Sequence, residues 1–187
     1  MSSDDPQHGG VEQRGPWARH ATTSLLTTRR LAVWRDEVTL PDGSPGAYDW
    51  VEAPDLVRVA AVDDDGMVVL VEQHHYLAGN MLQFPGGAVD PGESPRAAAE
   101  RELREETGLH GGAWTHEGEV YPLPGLSPLR VHLWSVQGAS PGPTALEGGE
   151  ADLRVVRLPL TQAVGDDRVR CAASLALLHS LAARHTR

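Results

Sequence analysis

The sequence has one cysteine, few aromatic residues, no excess of positive charge and no long apolar run, and these shortages exclude several classes of protein. Cys171 is the only cysteine among 187 residues, so no intrachain disulfide can form, which fits a reducing cytoplasm. An apolar run of about 18 residues, the length of a membrane-spanning helix, does not occur. The formal net charge of −10 argues against binding nucleic acid through a basic face. With 40% apolar and 22% charged residues, the sequence predicts a soluble, cytoplasmic, globular protein.

Composition divides the chain into three regions. The polar segment 1–18 predicts a disordered arm without a signal peptide, 19–55 predict N-terminal strands, and 56–187 predict the main domain. Apolar runs separated by Gly/Pro turns predict strands at 24–28, 31–40, 47–52, 56–62, 67–72, 120–121, 130–136 and 152–158. Helical spacing predicts helices at 95–107, 160–164 and 169–185. The expected fold class is mixed α/β.

The acidic residues of the predicted helix 95–107 share one face. Glu105 and Glu106 follow Glu102 by three and four positions, which places the three carboxylates side by side on a helix. Their mutual repulsion would weaken the helix unless a positive charge lies against them. Mg²⁺ is a hard cation that takes oxygen ligands and commonly bridges to phosphates. The spacing therefore favours a metal site over a charged surface helix.

Two neighbouring features support this metal site. Glu93 and Arg101 are placed to form an arginine–carboxylate fork that holds the preceding loop onto the helix. The tight turn Gly86-Gly87 allows backbone carbonyls to point inward, where one would ligate the metal ion.

The segment 87–109 resembles the Nudix box, the pattern G-x5-E-x7-R-E-U-x-E-E-x-G-U in which U is aliphatic. Every fixed position matches, and the matching residues are Gly87, Glu93, Arg101, Glu102, Leu103, Glu105, Glu106, Gly108 and Leu109. The resemblance implies the Nudix fold, a mixed β-sheet sandwiched between helices, and makes 56–187 the catalytic domain. It also implies a Mg²⁺-dependent hydrolase of a nucleoside diphosphate linked to another group, with Mn²⁺ as a substitute for Mg²⁺. By this resemblance Glu102, Glu106 and the carbonyl of Gly86 bind the metal ion, and Glu105 assists as a ligand or catalytic group.

Four shorter stretches, at 40–43, 70–76, 82–87 and 121–128, resemble the ADP-ribose pyrophosphatase branch of this family. That branch has a Q-[YF]-R-Y run and an E-[LV]-P-[AG]-G loop, and the resemblance implies ADP-ribose or a related nucleotide sugar as substrate. His75 stands at the position of the arginine, Gln83 at that of the acidic residue before the loop proline, and Leu129 replaces a further acidic residue. Histidine does not reproduce the bidentate geometry of arginine. NADH, an oxidised nucleotide or a non-nucleotide diphosphate therefore stay open as substrates, as does a non-catalytic nucleotide-binding role.

The acidic loop before the last strand supplies further candidates. By resemblance to the same branch, a glutamate there is a metal ligand or the general base, with Glu150 as the first candidate and Glu147 as the second. The alternative is a flexible acidic loop without a role in the reaction.

Three residues outside the box are candidates for binding the substrate. His75 and Gln83 would contact phosphate or sugar, although a histidine at a strand end also fits an ordinary surface position. Trp50 would stack on a base or lie at a subunit interface, with a core position as the alternative. The branch resemblance further implies a homodimer in which 19–55 pair with a partner subunit.

Overall fold

The computed structural model describes residues 10–146 and 148–185, which group into two compact units. The first unit is the chain up to Pro54 together with Leu123–Leu129, and the second is Asp55–Pro122 with the chain from Arg130 onward. The division near Pro54 lies close to the boundary at 55/56 expected from the sequence. Nothing in the local sequence of Leu123–Leu129 indicated that this loop groups with the N-terminal strands.

The first unit is a four-stranded antiparallel sheet with the strand order β1-β2-β3-β4. Its strands are β1 (Glu12–Arg14), β2 (Trp17–Thr27), β3 (Ala32–Thr39) and β4 (Pro45–Glu52). The arm expected at 1–18 is therefore corrected over its described part, because β1 and the start of β2 form a hairpin there. Gly15, with φ of +60°, makes the turn between them. Residues 1–9 lie outside the described part of the chain.

The second unit contains a six-stranded mixed sheet, which confirms the expected fold class. Its strands are β5 (Leu56–Val62), β6 (Met67–His75), β7 (Gly79–Gln83), β8 (Ala113–Val120), β9 (Val131–Gln137) and β10 (Arg154–Pro159). They follow the order β10-β6-β5-β9-β8, with β7 paired to β6, and only the described pair β5–β9 is parallel. The sequence did not predict β7 or most of β8, because neither segment shows apolar alternation.

In the part of the chain that the structure describes, the second unit has three α-helices: α1 (Pro95–Thr107), α2 (Leu160–Val164) and α3 (Ala172–His185). Helix α1 has the predicted bounds. The Ser94 hydroxyl accepts a hydrogen bond from the Ala97 amide, and Gly108 ends the helix at φ of +73°. None of the helices in residues 10–146 and 148–185 is long and apolar enough to cross a membrane.

One buried cluster of the second unit lies between β5 and α1. Alternate residues of β5 (Val57, Val59 and Ala61) are buried against a stripe of small and apolar α1 residues, namely Ala98, Ala99 and Leu103. Because side chains alternate along a strand, Arg58 does not point into this cluster. Packing of α1 on β5 fixes the direction in which the helix presents its carboxylates.

Candidate metal centre

The acidic face of α1 and a short 3₁₀ helix at Gly148–Glu150 together form a carboxylate cluster. Carboxylate oxygens of Glu102, Glu106 and Glu150 all lie within 4.8 Å of one another. Glu102 and Glu106 are buried, whereas Glu150 is half-buried. Three of the predicted site residues are thus brought together, two by their helical spacing and one by the tertiary fold.

Glu105 lies beside this cluster but does not join it. Its Oε2 atom is 3.2 Å from Nη1 of Arg101, and its side chain is more exposed than that of Glu102. The metal-ligand role proposed for Glu105 stays a prediction. Glu147, the second candidate for the general base, lies outside the described residues.

Arg101 holds the loop and the helix together. Its Nε and Nη2 atoms donate to the two carboxylate oxygens of Glu93 at 3.1 and 3.0 Å, which confirms the predicted fork. Its Nη1 donates to Glu102 at 2.8 Å, and Nη2 also donates to the carbonyl of Ala88 at 2.9 Å. These contacts raise the pKa of Arg101, chiefly through the hydrogen bonds to Glu93. The permanent positive charge of Arg101 therefore borders the acidic cluster on this side.

The backbone of the Gly86-Gly87 loop lies directly against the carboxylates of the cluster. The amide of Gly86 donates to Oε2 of Glu106 at 2.8 Å, and its carbonyl accepts from Nη1 of Arg58 at 2.5 Å. A Cβ atom at position 87 would lie 2.5 Å from Oε1 of Glu102, so the loop backbone touches this carboxylate directly. The Gly86 carbonyl is thus adjacent to the cluster, and its role as a metal ligand stays a prediction.

Burial disfavours the charged form of both buried carboxylates, Glu102 and Glu106. Burial raises the pKa of Glu106 to about 8, although the amide of Gly86 favours the charged form, and the charges of Glu102 and Glu150 raise it further. Burial also raises the pKa of Glu102 against the opposing effect of Arg101. A set of carboxylates with a backbone carbonyl nearby is the donor set that Mg²⁺ or Mn²⁺ prefers. The residues present therefore fit a divalent metal ion.

Two predicted substrate contacts lie in the second unit but are not free surface groups. Gln83 is buried, and its Oε1 atom is 3.4 Å from Nη2 of Arg58. The Nε2 atom of His75 is buried without a hydrogen-bond partner in the described part of the chain. Burial and the nearby charge of Arg58 lower the pKa of His75, which keeps the ring neutral at pH 7. Their substrate-binding roles stay predictions.

Sequence reasoning missed Arg58, which contacts both the loop and Gln83. The available signal was a single arginine inside the otherwise apolar strand Leu56–Val62. An arginine in such a run is unusual, because charged side chains are rarely buried without a specific partner.

Trp50 belongs to the first unit and lines a cavity of about 380 Å³ there. The aromatic part of the lining is Trp17, Tyr48 and Trp50, and Arg14 and the buried Asp36 add charges of opposite sign. The Nε1 atom of Trp50 is buried without a hydrogen-bond partner among the described residues. The cavity therefore combines aromatic walls with charged groups at its lining.

Comparison with known proteins identifies the family. The NUDIX domain model matches residues 53–169, and the chain therefore belongs to the Nudix family of hydrolases. It is 32% identical over 146 residues to the ADP-ribose pyrophosphatase of Mycobacterium tuberculosis, covering 76% of this chain and 70% of that protein. It is 30% identical over 121 residues to the ADP-ribose pyrophosphatase of Bacillus subtilis, covering 64% of this chain and 65% of that protein.

A solved structure of an ADP compounds hydrolase has the same fold. It matches with a TM-score of 0.75 over 98% of this chain and 97% of that chain. Because the sequence identity is 22%, this likeness bears on the fold alone.

The raised pKa of Glu106 predicts a pH-dependent stability for the metal-free protein. A carboxyl group whose pKa is about 8 when folded and near 4.5 when unfolded gives a stability that is full below pH 4.5, falls progressively as the pH rises towards 8, and levels off above 8. In the presence of EDTA we expect Tm to fall between pH 5 and 8 by at least about 3 °C, the shift for roughly 1 kcal/mol in a chain of this size. Differential scanning calorimetry measures this change.

Glu106→Gln serves as the control for this measurement. The variant removes the titrating group, so its Tm should change less over the same pH range, while any contribution of other groups stays the same. Saturating Mg²⁺ should also reduce the fall in Tm, because metal binding keeps Glu106 ionised. An equal fall in the wild type and the variant would contradict the assignment to Glu106.

Proposed function

We propose that this Nudix protein hydrolyses the diphosphate linkage of ADP-ribose or a related nucleotide sugar, with Mg²⁺ as its metal ion. The observation that carries the proposal is the cluster of Glu102, Glu106 and Glu150. A diphosphate adds negative charge and approaches three carboxylates only when cations lie between them. The relatives named ADP-ribose pyrophosphatase, at 32% and 30% identity, support this substrate class.

The residues of the cluster are assigned different roles in the proposed reaction. When bound, Mg²⁺ would neutralise the diphosphate and activate a water molecule for attack on phosphorus. Glu102, Glu106 and the carbonyl of Gly86 would hold the ion, and Mn²⁺, which also prefers oxygen ligands, would substitute. Glu150 is our first candidate for accepting the proton of the attacking water, because it comes from a separate element. Glu105, next to Arg101, would assist as a further acidic group.

The proposal predicts that the protein converts ADP-ribose to AMP and ribose 5-phosphate in the presence of Mg²⁺. Glu106→Gln removes a metal ligand and should lower kcat by roughly 100-fold with weaker metal affinity. Glu150→Gln removes the base and should lower kcat by roughly 100-fold or more with the Kd for Mn²⁺ mostly kept. Chromatographic quantification of AMP, with Mn²⁺ binding followed by electron paramagnetic resonance, separates the two roles.

Glu100→Gln is the matched control, because Glu100 lies on the same helix but is exposed and paired with Arg96. Its turnover should equal that of the wild type. Turnover of Glu106→Gln near the wild-type rate would show that the metal assignment is wrong.

The substrate alternatives are distinguished in the same assay. The neutral residues His75 and Gln83, at positions where the ADP-ribose branch has an arginine and an acid, favour testing NADH, oxidised nucleotides and non-nucleotide diphosphates beside ADP-ribose. A higher kcat/KM for one of these would move the substrate assignment to that compound. Tight binding of ADP-ribose without any product would instead identify a non-catalytic nucleotide-binding protein.

We further propose that Trp50 binds the base of the substrate. The cavity that it lines in the first unit has aromatic walls, and its indole N–H has no partner among the described residues. Stacking on one base contributes about 1–3 kcal/mol, so Trp50→Leu should raise KM roughly tenfold or more with kcat largely kept. Steady-state kinetics measure this change, and Trp114→Leu is the control, because Trp114 lies on β8 of the second unit and does not line this cavity. An unchanged KM would exclude Trp50 from the binding site.

We propose that the strands of the first unit form the interface of a homodimer. Leu25 and Leu26 of β2 and the nearby Leu31 expose 49%, 53% and 39% of their surface, an apolar area that a second copy of the chain would cover. Light scattering should give twice the chain mass of 20.1 kDa. Leu26→Arg should shift the protein towards the monomer, and a wild-type mass of one chain would disprove the dimer.

A further inference from the structure

Arg58 donates hydrogen bonds to neutral acceptors in and beside the Gly86-Gly87 loop, and its side chain also interacts with the thiol of Cys171. Its Nη1 atom lies 2.5 Å from the carbonyl oxygen of Gly86 and 3.0 Å from that of Val57. Its Nη2 atom lies 3.4 Å from Oε1 of Gln83. The Nε atom is buried without a partner in the described part of the chain. A partly buried guanidinium is costly to desolvate, so this arrangement requires a physical explanation.

Strand β5 holds three consecutive carbonyl groups of the loop. The backbone amide of Val59 donates to the carbonyl of Pro85 at 2.9 Å, and that of Val57 donates to the carbonyl of Gly87 at 2.9 Å. The carbonyl of Gly86 lies between these two and is held by the side chain of Arg58. Without Arg58, the backbone amides of β5 would still hold the carbonyls of Pro85 and Gly87, but they would not hold the carbonyl of Gly86.

The central carbonyl belongs to the Gly86–Gly87 peptide, which is unusually free to rotate. Glycine lacks the Cβ atom that restricts the backbone of other residues. A larger residue at position 86 cannot provide this restriction, because its Cβ would lie 2.2 Å from the carbonyl oxygen of Val57 and the backbone φ is +142°. Arg58 supplies from a neighbouring strand the constraint that the loop cannot supply itself.

The orientation of this loop reaches the carboxylate cluster directly. The amide of Gly86 donates to Oε2 of Glu106, so a rotation of the loop at Gly86 would also displace the hydrogen bond that orients this carboxylate. Residues that orient metal ligands typically affect metal affinity or activity by roughly 10- to 100-fold. Arg58 therefore contacts one predicted metal ligand, the Gly86 carbonyl, directly and is linked to a second, Glu106, through the Gly86 amide.

The position of Arg58 also accounts for two departures from the family pattern. His75 stands where the family has an arginine, and Gln83 stands where it has an acid. Arg58 interacts with both residues: its charge lowers the pKa of His75, and its Nη2 atom donates a hydrogen bond to Gln83. The chain thus brings an arginine to this region from β5 instead of β6. An acidic residue at position 83 would form an ion pair with Arg58 and draw its guanidinium away from Gly86, whereas the neutral Gln83 does not.

We propose that Arg58 is a positioning residue that fixes the Gly86–Gly87 peptide, and through Gly86 the carboxylate of Glu106, in the geometry that binds the metal ion. The inference rests on the proposed function only in that a divalent ion binds at this cluster, and it is independent of the substrate. The role assigned to Arg58 is to hold Gly86, not to contact the substrate.

Direct Mn²⁺ binding by electron paramagnetic resonance tests the proposal with two variants. Arg58→Lys keeps the charge but cannot hold Gly86 and Gln83 together, and Arg58→Met removes both the charge and the hydrogen bonds. We expect both variants to weaken Mn²⁺ binding, by roughly tenfold for lysine and up to about 100-fold for methionine. With saturating Mn²⁺, KM for ADP-ribose should stay at the wild-type value. Arg157→Met is the control, because Arg157 is exposed on β10 and paired with Asp63.

Three results would overturn the proposal. Wild-type Mn²⁺ affinity in Arg58→Lys would show that only the charge matters, and tighter binding in Arg58→Met would show that Arg58 opposes the metal ion. A raised KM with unchanged Mn²⁺ affinity would make Arg58 a substrate contact. Circular dichroism establishes whether each variant is folded, and if Arg58→Met is not, Arg58→Lys decides. Absence of ADP-ribose turnover in the wild type would refute the proposed substrate without affecting the Mn²⁺ measurement.

Discussion

The crowding of three carboxylates within 4.8 Å is the constraint on which the site depends. Burial raises the pKa of Glu106, and the charges of the neighbouring carboxylates raise it further. The fold tolerates the cluster because Arg101 lies against one side and the amide of Gly86 faces another. A divalent cation supplies the remaining positive charge, so the same crowding that destabilises the metal-free site favours metal binding.

Strand β5 connects the stability of the second unit with the geometry of its metal centre. One face of the strand packs Val57 and Val59 against α1, which positions the acidic helix. Its backbone amides hold the carbonyls of Pro85 and Gly87, and its one arginine holds the carbonyl between them. Helix α1 and the Gly86-Gly87 loop are therefore both held by β5, and a rigid strand keeps the predicted metal ligands of these two elements at fixed positions relative to one another.

The sequence predicted well what depends on local spacing. Helix α1 has the expected bounds because Ser94, Pro95 and Gly108 are local capping signals. The fork between Arg101 and Glu93 follows from a fixed motif and is present. The predictions were wrong or incomplete where pairing is decided by distant strands: β1 forms within the arm expected at 1–18, and β7 and most of β8 have no apolar alternation. Their hydrogen-bond partners, not their own composition, make them strands.

The sequence by itself determined the chemistry of the site, because helical periodicity places Glu102 and Glu106 on one face whatever the rest of the chain does. Only the tertiary structure decided that Glu150 joins them from the far end of the domain, that Glu105 lies with Arg101 instead, and that Arg58 reaches the Gly86 loop from β5. The physical reason is the separation of the residues along the sequence. Positions three or four residues apart on a helix are related by covalent geometry, whereas residues tens of positions apart meet only through the packing of the whole sheet.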